Sequence, residues 1–233
     1  MPSAGHPGDG RSFGSVGEEP PFEGDRERLS ALPRPDRATL SELFAASPRD
    51  GSATGFLLAQ LDPSRPLLWV QERMAILEGG RIYPPGLEVA ELIHVEANDA
   101  RAALWAMEEG LRCAAIGAVI GEIWGDPRAL DFTATRRLAV AAERYGVAAY
   151  LIRLGGHASL SGARMRWRIA SAPSLPNSLD LRAPGEPLWD AELFRARGAV
   201  PGKWVARRDP ENLQYLVAAS GDRALAEDQR RRA

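Results

Sequence analysis

Lysine is almost missing from this chain: Lys203 is the single example, and every other basic side chain is arginine. Chemistry that needs an ammonium group, such as a Schiff base or a grip on the terminal phosphates of a nucleotide, must use Lys203 or be absent. Cysteine is as scarce. Cys113 stands alone, which excludes an intrachain disulfide and a cysteine-based zinc cage; at the end of an apolar helix it reads as core filler. The three histidines, His6, His94 and His157, are far apart and have no His or Cys neighbour at ligand spacing, so no metal site and no cofactor is expected. Charge of one sign is also lacking. With a net charge of -2 and a pI near 6.0, bulk electrostatics does not drive the protein onto DNA, and any nucleic-acid contact has to be local. No stretch approaches the roughly 18 apolar residues of a membrane span. The opening residues lack the basic start, apolar run and small-residue cleavage site of a secretory signal. A soluble, cytoplasmic protein without membrane contact is expected.

What is present is enough apolar material, 45% of 233 residues, for one substantial core. Residues 1–35 are crowded with glycine, proline and charge, and Phe13, Phe22, Leu29 and Leu32 follow neither helical nor strand period, which predicts a disordered leader. Residues 36–208 read as one domain, and 209–233 as a flexible tail or short interaction helix. Within the domain, short apolar runs alternate with longer amphipathic stretches, the rhythm of an α/β fold with a mainly parallel sheet.

The spacing predicts strands at 41–46, 67–71, 92–95, 116–123 and 147–154. Between them a short helix ends near Leu61, and longer helices cover 98–112, capped by Asn98 or Asp99, and 133–145. In the second long helix Thr133 is the expected cap, Leu138, Ala141 and Tyr145 face inward, and Gly146 terminates it. Polar and apolar residues alternate at 164–169, 190–195 and 204–208, which predicts antiparallel strands added to one edge.

The turn after the first strand is the natural place for a phosphate cradle. A working P-loop reads G-x-x-x-x-G-K-[ST]. The turn here runs from Ala46 through Ser47, Pro48, Arg49 and Asp50 to Gly51, Ser52 and Ala53. Ala46 replaces the first glycine, only Gly51 survives, Ser52 stands at the lysine position and Ala53 at the magnesium-hydroxyl position. Asp50 adds negative charge. Such a turn is either a degenerate P-loop or a strand-to-helix turn that never was one, and neither reading supports ATP hydrolysis.

The strings LLWVQ at 67–71, RIYPPGL at 81–87, ALWAMEEGLR at 103–112, AVIGEIW at 118–124 and TATRRLAVAAERYGV at 133–147 occur in order, followed by RMRWRI at 164–169 and LFRARGAVPGKW at 193–204. Together they resemble the ImuA (inducible mutagenesis protein A) family, whose members look like RecA without its ATPase chemistry. The resemblance implies a RecA-like core and induction with the SOS response. It further implies partnership with an ImuB-like homologue of Y-family polymerases and with an error-prone replicative-type polymerase. By the same resemblance Glu122 takes the place of the magnesium-associated acid and Glu72 lies near that of the water-activating carboxylate, both as relics or as helix and loop partners. Residues 124–132 and 155–162 stand where RecA carries its long DNA-binding loops, and both are short.

Arg164, Arg166 and Arg168 alternate with Met165, Trp167 and Ile169, putting three guanidinium groups on one strand face. With Arg195 and Arg197 they form a candidate DNA or partner surface; pairing with Asp190 and Glu192 on a neighbouring strand is the alternative. Trp69, Trp105 and Trp124 read as core, whereas Trp189 and Trp204 are the more open tryptophans. In the tail, Leu213, Tyr215, Leu216 and Val217 form a candidate partner anchor. The expected role is a non-catalytic adaptor in translesion synthesis. The alternatives are a nucleotide-dependent or single-stranded-DNA-binding modulator of RecA filaments and a SulA-like inhibitor of cell division.

Overall fold

The sequence LSELFA supplies a strand that must be covered on both faces, and it becomes β1 (Leu40–Ala45) near the middle of the sheet. The computed structural model describes residues 32–174, 177, 179–180, 182–208 and 215–219, the last as backbone only. After β1 come α1 (Ser52–Leu58), β2 (Leu67–Glu72), α2 (Arg73–Gly79), a 3-10 turn at Pro84–Gly86 and β3 (Leu92–Ala97). These are followed by α3 (Ala100–Gly110), β4 (Ala118–Trp124), α4 (Phe132–Tyr145) and β5 (Ala148–Leu154). The chain continues through β6 (Met165–Ala172), β7 (Leu188–Ala196), β8 (Gly202–Arg208) and β9 (Tyr215–Ala219).

The strands form one sheet in the order β3-β2-β4-β5-β1-β6-β7-β8-β9. Pairings from β3 through β6 are parallel and those from β6 to β9 antiparallel. The α/β class, the mainly parallel sheet and the antiparallel extension are therefore as expected. One detail differs: β6 is parallel to β1 and antiparallel only to β7, so it is the hinge strand between the two pairing modes. The alternation in 164–169 reports one polar face, and that pattern is blind to strand direction.

Two apolar layers sandwich the parallel strands. Phe56 and Leu57 of α1 and Ala75 of α2 pack on Leu43, Trp69, Ile120 and Ile152 on one face. Ala103 and Met107 of α3 and Leu138 and Ala142 of α4 cover Leu40, Val70, Val119 and Leu151 on the other. Asp99 caps α3 by accepting from the Ala102 N–H at 2.8 Å. The cap of α4 is Asp131, accepting from the Ala134 N–H at 2.8 Å, in place of the expected Thr133, which puts the start of the helix at Phe132. Its inward face is accordingly Thr135, Leu138, Ala139 and Ala142, with Ala141 and Tyr145 half-buried. Gly146 ends α4 at φ 71°, a left-handed turn that favours glycine. Helix α2 has no expected counterpart: it is short, and only Ala75 is buried, too little to show a period.

Candidate functional site at the carboxyl ends of the parallel strands

The turn from β1 to α1 lies at the carboxyl edge of the sheet, where a phosphate would meet backbone amides. The chain fills that role itself. Asp50 Oδ1 accepts from the Ser52 N–H at 2.9 Å and from Ser171 Oγ at 2.8 Å, and Oδ2 accepts from the Ser171 N–H at 3.2 Å. Burial pushes the Asp50 carboxyl up, but the hydrogen bonds from Ser171 and Ser52 outweigh it and hold the group below its ordinary range. Gly51 has φ -70°, open to any residue. Ser52 and Ala53 are 4% and 1% exposed, and Ser52 Oγ donates to the Ile169 carbonyl at 3.4 Å. The positions at which a P-loop would offer its lysine and its magnesium hydroxyl therefore look into the core, while Ala46 is exposed.

The two carboxylates of interest are also occupied. Glu122 faces Gln71 across the β2–β4 register; its Oε1 accepts from Trp69 Nε1 at 3.0 Å and its Oε2 from Gln71 Nε2 at 2.7 Å. Burial raises the Glu122 pKa, with the bonds from Gln71 and Trp69 opposing. Gln71 extends the network: its Oε1 accepts from the Ile82 N–H at 3.1 Å and lies 3.0 Å from His94 Nε2. Glu72 is buried and accepts from the Trp124 N–H at 3.0 Å. Both carboxylates thus hold the scaffold together at the ends of β2 and β4.

The arginine stripe divides into three environments. Arg164 Nε donates to Glu143 Oε1 at 2.7 Å, against α4. Arg166 is 3% exposed and donates from Nε to Glu42 Oε2 at 2.7 Å, so it belongs to the interior and not to a surface. Arg168 reaches Glu192 at 3.1 Å and lies 4.1 Å from the centroid of the Phe194 ring. The pairing with Glu192 is the one the strand alternation had offered. Arg195 and Arg197 are exposed.

Sequence reasoning missed the centre of this cluster. Arg153, on β5, is 3% exposed; it bonds Asp126 at 2.6 Å and the Gly125 carbonyl at 3.0 Å, and lies 4.0 Å from Glu42. Phe44 sits between Arg153 and Arg166, whose guanidinium carbons are 5.4 and 5.3 Å from its ring centroid. The available signal was a charged residue inside each of two apolar runs, Glu42 in LSELFA and Arg153 in AAYLIRL, because ions so placed are buried only when paired. Beside the cluster, a groove of about 680 Å³ runs from Phe44 and Ala46 past His157 and Arg168 to Lys203. Positive and negative side chains alternate along it, since Glu192 also lies 3.7 Å from Lys203.

No family model matches the chain. Protein ImuA of Caulobacter vibrioides strain NA1000 / CB15N is 36% identical over 149 residues, covering 60% of this chain and 59% of that protein. Protein ImuA of strain ATCC 19089 / CIP 103742 / CB 15 shows the same identity and coverage. Over that stretch this chain is similar to the ImuA proteins. It matches 59% of the length of those curated relatives.

In this chain the two short segments at 124–132 and 155–162 are tied to one another. Asp126 accepts from the His157 N–H at 2.9 and 3.1 Å and lies 2.8 Å from His157 Nδ1, while Arg153 holds it from beneath. Burial pushes the Asp126 carboxyl up, but the His157 bonds and the Arg153 charge bring it below its ordinary range. Several aromatic expectations are overturned. Trp105 is 63% exposed because it lies on the solvent side of α3, and Trp189 is 6% exposed because Phe56 of α1 packs on it at 6.4 Å. Trp69 is core as expected, Trp124 and Trp204 are half-buried, and Cys113 is exposed, beyond the end of α3. Of the proposed tail anchor, Leu213 lies outside the described residues; Tyr215, Leu216 and Val217 fall in β9, paired with β8. Among the described residues no group of three His, Cys, Asp or Glu could hold a metal. Nor is any described helix long and apolar enough to cross a membrane.

Proposed function

We propose that this chain is an ImuA-type protein, a non-catalytic accessory factor of damage-induced mutagenesis, built on a RecA-like frame whose nucleotide site has become scaffold. The match to Protein ImuA carries the reading. The frame is supported by a parallel sheet with β1 in its interior and a strand-to-helix turn at the carboxyl edge, the layout in which such folds seat phosphates. The absence of catalysis is supported by the turn: no lysine is near in sequence, and Asp50 bonds the Ser52 amide that a phosphate would seek. A cytoplasmic adaptor follows, whose partners are an ImuB-like polymerase homologue and an error-prone replicative-type polymerase.

Deleting the gene should lower the frequency of mutations induced by ultraviolet damage while leaving growth without damage unchanged; an unchanged induced frequency overturns the assignment. Purified protein should release no phosphate from ATP with magnesium. Measured turnover would remove the non-catalytic half of the reading.

A further inference from the structure

The outer groove between α3 and α4 is separate from the arginine cluster and from the β1 turn. It encloses about 390 Å³, with Trp105 as one wall, Leu104 and Leu138 as floor and Arg101, Arg128 and Arg137 at the rim. Trp105 is 63% exposed, and Val140 farther along α4 is 49% exposed. A large aromatic surface held in water beside an apolar floor is the composition of a protein contact.

Charge says which contact. Glu108 pairs with Arg137 and lies 3.9 Å from Arg112, Glu109 lies 3.6 Å from Arg112, and Asp131 is spent on the α4 cap. Arg101 and Arg128 have no side-chain partner among the described residues. On a chain of net charge -2, the groove keeps a local positive surplus around an open indole.

We propose that the α3–α4 groove docks a short acidic segment of a partner protein, with an apolar side chain against Trp105, Leu104 and Leu138 and carboxylates on Arg101 and Arg128. The inference rests on the accessory reading only for its biological role. A nucleic-acid strand fits less well: sites for single strands line several aromatic rings along a basic track, whereas this groove has one indole and the carboxylate of Glu108 in its wall.

The test uses the full chain and a displayed library of random peptides of about twelve residues, enough to span roughly 18 Å as a helix. Enriched peptides should be acidic with an aromatic or aliphatic anchor. Their affinity should fall roughly tenfold or more with Trp105→Ala and with the Arg101→Glu, Arg128→Glu pair, while thermal unfolding stays unchanged because these side chains are exposed. No enrichment, enrichment without acidic bias, affinity indifferent to both variants, or tighter binding of an oligothymidylate at the same residues each overturns the groove assignment. An induced mutation frequency that does not depend on this protein removes the accessory reading and leaves the peptide result standing.

Discussion

Glu122 is buried, bonded to Trp69 and Gln71, and its pKa is raised by burial above the ordinary 4.5. The folded state therefore holds the proton more tightly than the unfolded chain. Stability from this group is full below 4.5 and is lost as pH rises through the raised folded value. Glu122→Gln removes the titration at nearly constant volume. The difference between wild-type and variant unfolding free energies, followed by urea denaturation, should shift in favour of the variant as pH rises from 4.5 toward neutral. A difference curve flat with pH would mean that Glu122 does not titrate in that window. The same residue shows how little of the site was legible: an acid at the end of a central strand was visible in AVIGEIW, but its bond to Trp69 comes from another strand and has no mark in local spacing.

The loop at 155–162 and the start of α4 meet at a glycine. A Cβ on Gly162 would lie 2.6 Å from both the Cα and the N of Arg136, and the Gly162 N–H donates to Thr135 Oγ1 at 2.9 Å. Backbone atoms cannot rotate away as a side chain can, so Gly162→Ala must lift the loop from the helix. It should lower stability by about 1–3 kcal/mol, read as a lower urea midpoint; an unchanged midpoint would show that the loop does not dock this way. Longer elements were readable, as helix α3 and the apolar runs of β2 and β4 show. Helix α2 was not, since seven residues with one buried alanine carry no period. The direction of β6 was equally hidden, because alternation is the same in parallel and antiparallel pairs. The arginine stripe was found but its depth was not: Arg166 and Arg168 are two residues apart on one strand, yet Arg166 is buried and bonded to Glu42 while Arg168 reaches solvent.

Across the whole molecule, protection is unequal by construction. Strands β1, β4 and β5 are interior and covered by helices on both faces, with Leu40, Val119, Ala149 and Leu151 almost fully buried. Beyond β6, helix α1 reaches β7 on one side through Phe56 and Trp189. The other side of β7 and β8 carries the Glu192 and Lys203 side chains, both partly open to water, with Arg168 of β6 beside Glu192. At the opposite end, β3 is an edge strand with only Ala97 buried. Backbone hydrogen bonds open more readily where few apolar groups hold the strands together. Native-state hydrogen exchange should therefore be slowest in β1, β4 and β5 and faster in β3 and β8. Amides of β8 as protected as those of β5 would mean that the antiparallel strands unfold together with the parallel half, and that the change of pairing at β6 is no boundary in stability.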